Sequence, residues 1–455
     1  MAALDTLTIS DDPATSTLKI AVVGCGHGEL DTIYATLENQ CEAKGWTLSE
    51  IDFLIICGDF QAVRNDLDLN CMSVPRRYLR MGDFHKYYSG AAKAPVLTLV
   101  IGGNHEASNY LFELYHGGWL ARNIYYLGAA GVINYGPCRI AGLSGIYNAS
   151  DYRKPHDERL PYDRDLIRSV YHVREYDVQK LLQVSQPVDI ALSHDWPTWV
   201  ELFGNHEQLF AEKPHFFASA KVDNLGSKPA AEVLNGLRPS YWFSGHMHAR
   251  FEATVEHRGS KMEDSVKQLD LPDTLKDVLP LFKSRRKSSQ ASSSESVNKN
   301  QQTQFLALSK VGQDVASYMD LKELKIPTPP IKTGLTEANN GRKFHLCYDA
   351  EWLAITRAYN DTLRIPDPET LIVPPLKGKQ KSPASNIPKH KEWVRENIVE
   401  KGLLRVPNNF AKHAPEYDPN VGQRREQPLE YPNHQTAEFA KLLGISNKFH
   451  LVDST

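Results

Sequence analysis

Apolar residues fall in short runs that stop abruptly. Residues 18–23 end at Gly24, residues 53–57 at Gly58 and residues 96–101 at Gly102. Residues 188–192 and 241–243 behave alike, each passing through a small residue into a histidine. Short, nearly unbroken runs of this kind predict strands buried on both faces. After the first run, Leu30, Ile33, Tyr34, Leu37 and Cys41 recur at helical spacing and predict an amphipathic helix. Strands alternating with helices predict a layered α/β fold.

The pattern changes further along. Residues 261–304 hold few apolar positions, a basic run from Lys283 to Lys287 and a serine-rich stretch over 288–296. Such a composition buries too little surface to fold, and predicts a disordered linker. The basic run reads either as a nuclear import signal or as an ordinary solvated charge run. Order resumes at 305–308 and again at 344–359, which makes 305–366 a C-terminal region. Residues 367–455 form a Pro- and Lys-rich tail, with helices predicted near 390–400 and 435–443. Residues 1–17 are polar and acidic, and predict a flexible N-terminus ahead of a domain over 18–260.

Composition narrows the function classes. The 455 residues are 41% hydrophobic and 24% charged, the make-up of a globular protein large enough for a substantial core. A net charge of −3 excludes polyanion binding through overall charge, so a nucleic-acid ligand would need a local patch or a metal centre. The six cysteines form no CxxC pair, which argues for a reducing compartment and against a disulfide framework. No apolar run approaches the ~18 residues of a membrane span, and the N-terminus is not signal-like. A soluble, intracellular protein without membrane contact is expected.

The chemistry lies where the apolar runs stop. Gly24-Cys25-Gly26-His27, Gly58-Asp59, Gly103-Asn104-His105-Glu106, Ser193-His194-Asp195 and Gly245-His246-Met247-His248 follow the five runs in order. In an open α/β sheet the loops at the carboxyl ends of strands converge on one crevice. Glycine lets the backbone turn sharply there. Imidazole and thiolate favour Zn²⁺ or Fe²⁺, and carboxylate and amide oxygens also suit Mn²⁺. Two such ions bridged by a carboxylate, for which Asp59 is the natural candidate, can activate water and neutralise a phosphoryl oxygen. Each piece has a bland account when taken alone. Gly-Asp commonly follows a strand, a lone His194 suits a hydrogen-bonded core, and Asn104-His105 suits a capped turn. The order and strand-end placement of all five select the metal site.

That series resembles the calcineurin-like metallophosphoesterases. The usual opening Asp-x-His is replaced by Cys25-Gly26-His27, and this departure resembles the RNA lariat debranching enzymes. Gly145-Ile146-Tyr147, Asp151-Tyr152, Ser193-His194-Asp195-Trp196-Pro197 and the segment from Tyr241 to His246 agree with that family. The resemblance implies a layered β-sandwich flanked by helices, with a C-terminal extension packed on it. It also implies one divalent ion held by Cys25, His27, Asp59 and His248, and a second held by Asp59, Asn104, His194 and His246. His105 would be the catalytic histidine. A thiolate at Cys25 would favour Zn²⁺ or Fe²⁺ over Mn²⁺ in the first site, or leave it weakly filled.

The implied reaction is hydrolysis of the 2′–5′ phosphodiester at the branch point of excised intron lariat RNA, giving linear intron RNA. Residues 145–176 resemble the family's lariat recognition loop. Tyr147, Tyr152, Arg153, His156 and Arg174 are its candidate substrate contacts, although six acidic residues balance six cations there. The substrate implies a nuclear location, with shuttling to the cytoplasm left open, and splicing-associated proteins are candidate partners of the tail. Two rivals stand beside this reading: a general phosphoesterase of phosphoproteins or small phosphodiesters, and a non-catalytic scaffold of the same fold.

Overall fold

A computed structural model describes residues 15–259, 261–283, 300–327, 343–367, 370, 373 and 382–450. The strands are β1 (Thr15–Val23), β2 (Phe53–Ile56), β3 (Thr98–Val100), β4 (Gly118–Ala121) and β5 (Ile124–Tyr126), then β6 (Ala130–Tyr135), β7 (Cys138–Leu143), β8 (Ile190–Ser193), β9 (Tyr241–Ser244) and β10 (Phe251–Glu256). The last three are β11 (Gln302–Ala307), β12 (Met319–Pro327) and β13 (Leu346–Tyr348). They build a six-stranded sheet in the order β12-β1-β2-β3-β5-β4 and a seven-stranded sheet in the order β10-β11-β9-β8-β7-β6-β13.

Side-chain alternation explains why the two sheets stack. Leu18, Ile20 and Val22 of β1 and Phe53 and Ile55 of β2 meet Ile140, Ile190, Leu192 and Phe243 of the second sheet in one core. Ala21, Val23, Leu54 and Ile56 point the other way, onto Ile33 and Leu37 of the helix Leu30–Ala43. On the far side Ala191 and Trp242 pack against Val233 and Leu234 of the helix Lys228–Leu237 and Ile355 of Ala350–Tyr359. The result is four layers, helix, sheet, sheet and helix. With apolar neighbours on both faces, the central strands read as continuous apolar runs. Ser227 caps the helix Lys228–Leu237, its hydroxyl accepting the Ala230 N–H at 3.2 Å. Ser227→Ala should lower stability by about 1 kcal/mol, read as a shift in the urea midpoint at unchanged slope.

The C-terminal extension does more than pack on the sandwich. β11 lies between β9 and β10, parallel to the first and antiparallel to the second. β12 pairs antiparallel along all of β1, from Thr15↔Pro327 to Val23↔Met319, and β13 closes the other edge of the second sheet on β6. The linker expected over 261–304 is ordered in its first half. The helices Met262–Val266, Asp273–Lys276 and Pro280–Lys283 occupy it, and Met262, Val266, Leu275 and Leu279 are buried against the second sheet. Apolar residues about four apart suffice to bury one face, even when charges separate them. Residues 284–299, with the serine-rich stretch and all of the basic run beyond Lys283, lie outside the described residues, as do 1–14 of the expected flexible N-terminus. Helices Ile387–Val394 and His434–Leu443 lie in the tail. No described helix is long and apolar enough to cross a membrane.

Candidate metal centre

The carboxyl ends of β1, β2, β3, β8 and β9 come together, and their loops surround Asp59, which is 1% exposed. The turns are tight. His27, Asp59, His246 and His248 all have positive φ, between 46° and 63°. A non-glycine residue in this region costs about 1–2 kcal/mol, and such strain collects at functional sites. Gly58 and Gly103 leave no room for a side chain. A Cβ on Gly58 would lie 2.3 Å from His194 Nδ1, and one on Gly103 would lie 2.3 Å from Asp59 Oδ1.

Two clusters share the Asp59 carboxylate. In the first, ligand atoms of Cys25, His27, Asp59 and His248 all lie within 4.8 Å of one another. His27 Nε2 is 3.2 Å from His248 Nε2 and 3.7 Å from Asp59 Oδ2. In the second, His194 Nε2 is 3.3 Å from Asp59 Oδ1 and 3.2 Å from Asn104 Oδ1, and the His246 ring centroid is 4.9 Å from that of His194. His194 Nδ1 donates to the Cys57 carbonyl at 2.7 Å, which turns Nε2 toward the cluster. Burial opposes a charge on this ring, but the Asp59 carboxylate outweighs it and raises the His194 pKa, so a cation binding there would displace the Nε2 proton. All seven residues expected as ligands therefore converge.

Electrostatics match divalent cations. Burial lowers His27 and His248 to about 4 and lowers His246 as well, so these imidazoles are neutral bases at neutral pH. Burial opposes the Asp59 charge, yet His194 and His105 hold its carboxyl well below the usual range. The Cys25 thiol is pushed well up by burial and by the Asp59 charge, while the His246 N–H, donating to Sγ at 3.0 Å, pulls the other way. Only a strong local positive charge would make that thiol a thiolate, and a coordinated cation supplies one. Sulfur, imidazole and shared carboxylate form a fitting donor set for a pair of borderline divalent ions.

Sequence reasoning assigned no role to Glu106, which the fold makes a keystone. Fully buried, it accepts the N–H groups of Phe60, Gln61 and Gly103 at 2.7–2.8 Å, tying the Asp59 turn to the Asn104 turn. Burial and the Asp59 charge push its carboxyl up to about 7. The available signal was its place in Gly-Asn-His-Glu, where a carboxylate beside strained backbone has N–H groups to satisfy. His105 differs from the ligands. Its side chain is one-third exposed, and its Nδ1 lies 3.2 Å from Asp59 Oδ2, whose hydrogen bond raises the His105 pKa. It is anchored at one nitrogen, flanked by the His27 ring at 5.6 Å and partly open to solvent.

Comparison with known proteins gives the family. Residues 18–250 match the calcineurin-like phosphoesterases, and residues 300–448 match the C-terminal domain of lariat debranching enzymes. The chain is 40% identical over 438 residues to the lariat debranching enzyme of Arabidopsis thaliana, an alignment covering 96% of this chain and 88% of that one. The chain belongs to the lariat debranching enzymes. Identity to the Homo sapiens lariat debranching enzyme is 40% over 439 residues, covering 94% of this chain and 69% of its relative. For that of Schizosaccharomyces pombe it is 36% over 479 aligned positions, covering 95% and 96%. As a member of this family the chain is a hydrolase acting on phosphodiester bonds.

In this debranching enzyme, residues 145–176 begin at the candidate metal centre. The Gly145 N–H donates to the Gly102 carbonyl at 2.8 Å, and the Tyr147 N–H faces the Asp195 carboxylate. Tyr147 and Tyr152 are half-buried with their rings edge to face at 5.7 Å, and Arg153 is exposed. His156 and Arg174 are different. They are 6% and 1% exposed, and both bind the buried Glu158, at 2.9 and 2.5 Å. These two stiffen the loop from inside and do not present their side chains to solvent. The tail reaches this loop and the segment that follows β2. Gln427 bonds the Tyr162 N–H and carbonyl at 2.6 and 2.8 Å, Glu430 pairs with Arg159 at 2.9 Å, and Arg424 pairs with Asp66 at 2.7 Å.

Proposed function

We propose that this chain hydrolyses the 2′–5′ phosphodiester at the branch point of excised intron RNA, with two divalent cations held at the shared Asp59. The observation that carries the reading is the convergence of Cys25, His27, Asp59, Asn104, His194, His246 and His248 around one buried carboxylate. Zn²⁺, Fe²⁺ and Mn²⁺ are the ions such donors suit, with the softer two favoured beside Cys25. Bound there, they would neutralise the branch phosphate and lower the pKa of the attacking water. The protein's own groups do the rest. Neutral His27, His246 and His248 offer lone pairs without taking up protons. Glu106 holds the two turns in register through their N–H groups. His105 carries a proton toward the open side of the site and is placed to deliver it to the departing 2′ oxygen.

Choice of the branched linkage falls to the loop. Tyr147 and Tyr152 are half-buried and Arg153 is exposed, and in this reading the rings stack unpaired bases while Arg153 meets a phosphate. Nuclear residence and contacts of the tail with splicing-associated proteins belong to the same reading, and Val421 and Leu429 leave apolar side chains exposed on that tail.

Digestion of a synthetic branched RNA by metal-reconstituted protein, beside a linear control, tests the proposal. Branched RNA should be opened and linear RNA left intact. Equal cleavage of both, or of neither, would remove it. Cys25→Asp should shift the preferred ion toward Mn²⁺, measured as activity against added metal and as metal content after dialysis. An unchanged profile would take the thiol out of the ligand set.

A further inference from the structure

Residues 73–82 lie along the rim of the metal centre. At one end the Ser73 hydroxyl is 3.3 Å from the Tyr171 hydroxyl of the recognition loop. At the other the Asp83 N–H donates to the Gly28 carbonyl at 2.8 Å, one residue from His27. Val74, Leu79 and Met81 pack beneath the segment onto Val63, Leu69, Met72 and Ala107. That packing fixes which residues face outward: Arg76, Arg77, Tyr78 and Arg80 are all exposed, Tyr78 at 54%.

These cations are uncompensated. Among the described residues no carboxylate pairs with Arg76, Arg77 or Arg80, whereas nearby Lys86 is bound by both Asp31 and Asp83. Three unpaired positive charges within five residues form a local basic patch on a chain of net charge −3. The Arg77 guanidinium lies 4.8 Å from the Tyr78 ring centroid, which steadies a ring otherwise open to solvent. Closely spaced cations around an exposed aromatic face suit a flexible polyanion that carries flat bases.

We propose that Arg76, Arg77, Tyr78 and Arg80 form a binding site for an unpaired RNA arm extending from the phosphodiester at the metal centre. This rests on the proposed RNA substrate. The arginines take successive phosphates and Tyr78 stacks a base. The site adds affinity for the arm without touching the bond that breaks, so its loss shows in KM and leaves kcat alone.

The test uses the full chain loaded with metal. Arg76→Ser/Arg77→Ser/Arg80→Ser and Tyr78→Ala are each compared with the unaltered protein. Substrates are branched RNAs with long and with trimmed arms, and a small nitrophenyl phosphodiester. The triple variant should raise KM for the long-armed RNA and lower the salt slope for binding linear single-stranded RNA by about 2, roughly 0.7 per phosphate. Tyr78→Ala should weaken that binding by about 5- to 150-fold, the range expected for one stacked base, and Tyr78→Phe should restore it. Turnover of the small phosphodiester should not change. An unchanged KM and salt slope would overturn the proposal. So would equal losses with long and trimmed arms, or an equal loss of affinity for an acidic peptide of matched charge. If the unaltered protein left branched RNA intact, the functional reading would fall. Linear-RNA binding by the same variants would still decide whether this site exists.

Discussion

Replacing His105 by alanine is expected to slow opening of branched RNA by about 10²–10⁴-fold, the usual range for losing one general acid–base group, while the RNA still binds. Each expected metal ligand is surrounded by other donors of the two clusters. His105 instead meets Asp59 with one nitrogen, lies beside the His27 ring at 5.6 Å and keeps one-third of its side chain exposed. On the proposed mechanism its removal leaves the candidate ligands in place and takes away the proton for the leaving oxygen. Single-turnover cleavage beside an equilibrium binding measurement separates these effects. Metal content should match the unaltered protein. A normal cleavage rate would withdraw His105 from the chemistry, and a lost metal would make it a ligand.

Gly103→Ala should cost a comparable amount by a different route. The added Cβ would lie 2.3 Å from Asp59 Oδ1, 2.4 Å from the Asp59 backbone nitrogen and 2.8 Å from the His194 ring. These are parts of a packed, strained turn, and Glu106 ties that turn to Gly103 itself through 2.8 Å hydrogen bonds. Relief requires the shared carboxylate to move. A displacement near 1 Å in such a site costs about 10²-fold in rate, and here it should also weaken binding of the two proposed cations. Elemental analysis after dialysis should show reduced metal, and turnover should fall by about 10²-fold or more. Gly422→Ala, with nothing within 4 Å of the added methyl, serves as the control. Full metal content and full rate in Gly103→Ala would show that the Asp59 turn yields without consequence.

The site is more legible in the sequence than the fold around it. Five apolar runs end in glycine or a small residue because the strands are buried on both faces and must turn sharply to bring ligands inward. That necessity is local, so it leaves a local mark. Strand pairing leaves none. Nothing in residues 302–307 says that they enter a sheet between two strands far upstream, and β12 shows only its own alternation. Strands β4 and β5 went unmarked because they are only four and three residues long, and β6 and β7 because Gly131 and Gly142 interrupt their apolar character. In residues 261–283 a helical period of buried residues is diluted by lysine and aspartate. Burial of charge misleads most: Arg174 and His156 look like surface groups in a tyrosine-rich loop, yet both turn inward to Glu158. Glu106 is the converse, a charged residue whose partners are all backbone N–H groups and so cannot be named from side chains.

The place of β11 has a bearing on how the molecule comes into being. When translation has reached only residue 260, β9 has no partner on one side, and β1 lacks the nine-residue strand that will cover its outer edge. The turns bearing Cys25, His246 and His248 grow from those half-open strands. A polypeptide of that length holds every candidate ligand but lacks two of the strands that frame them. Closure of both sheets around the candidate site thus waits on residues 302–327, which leave the ribosome after all of those ligands.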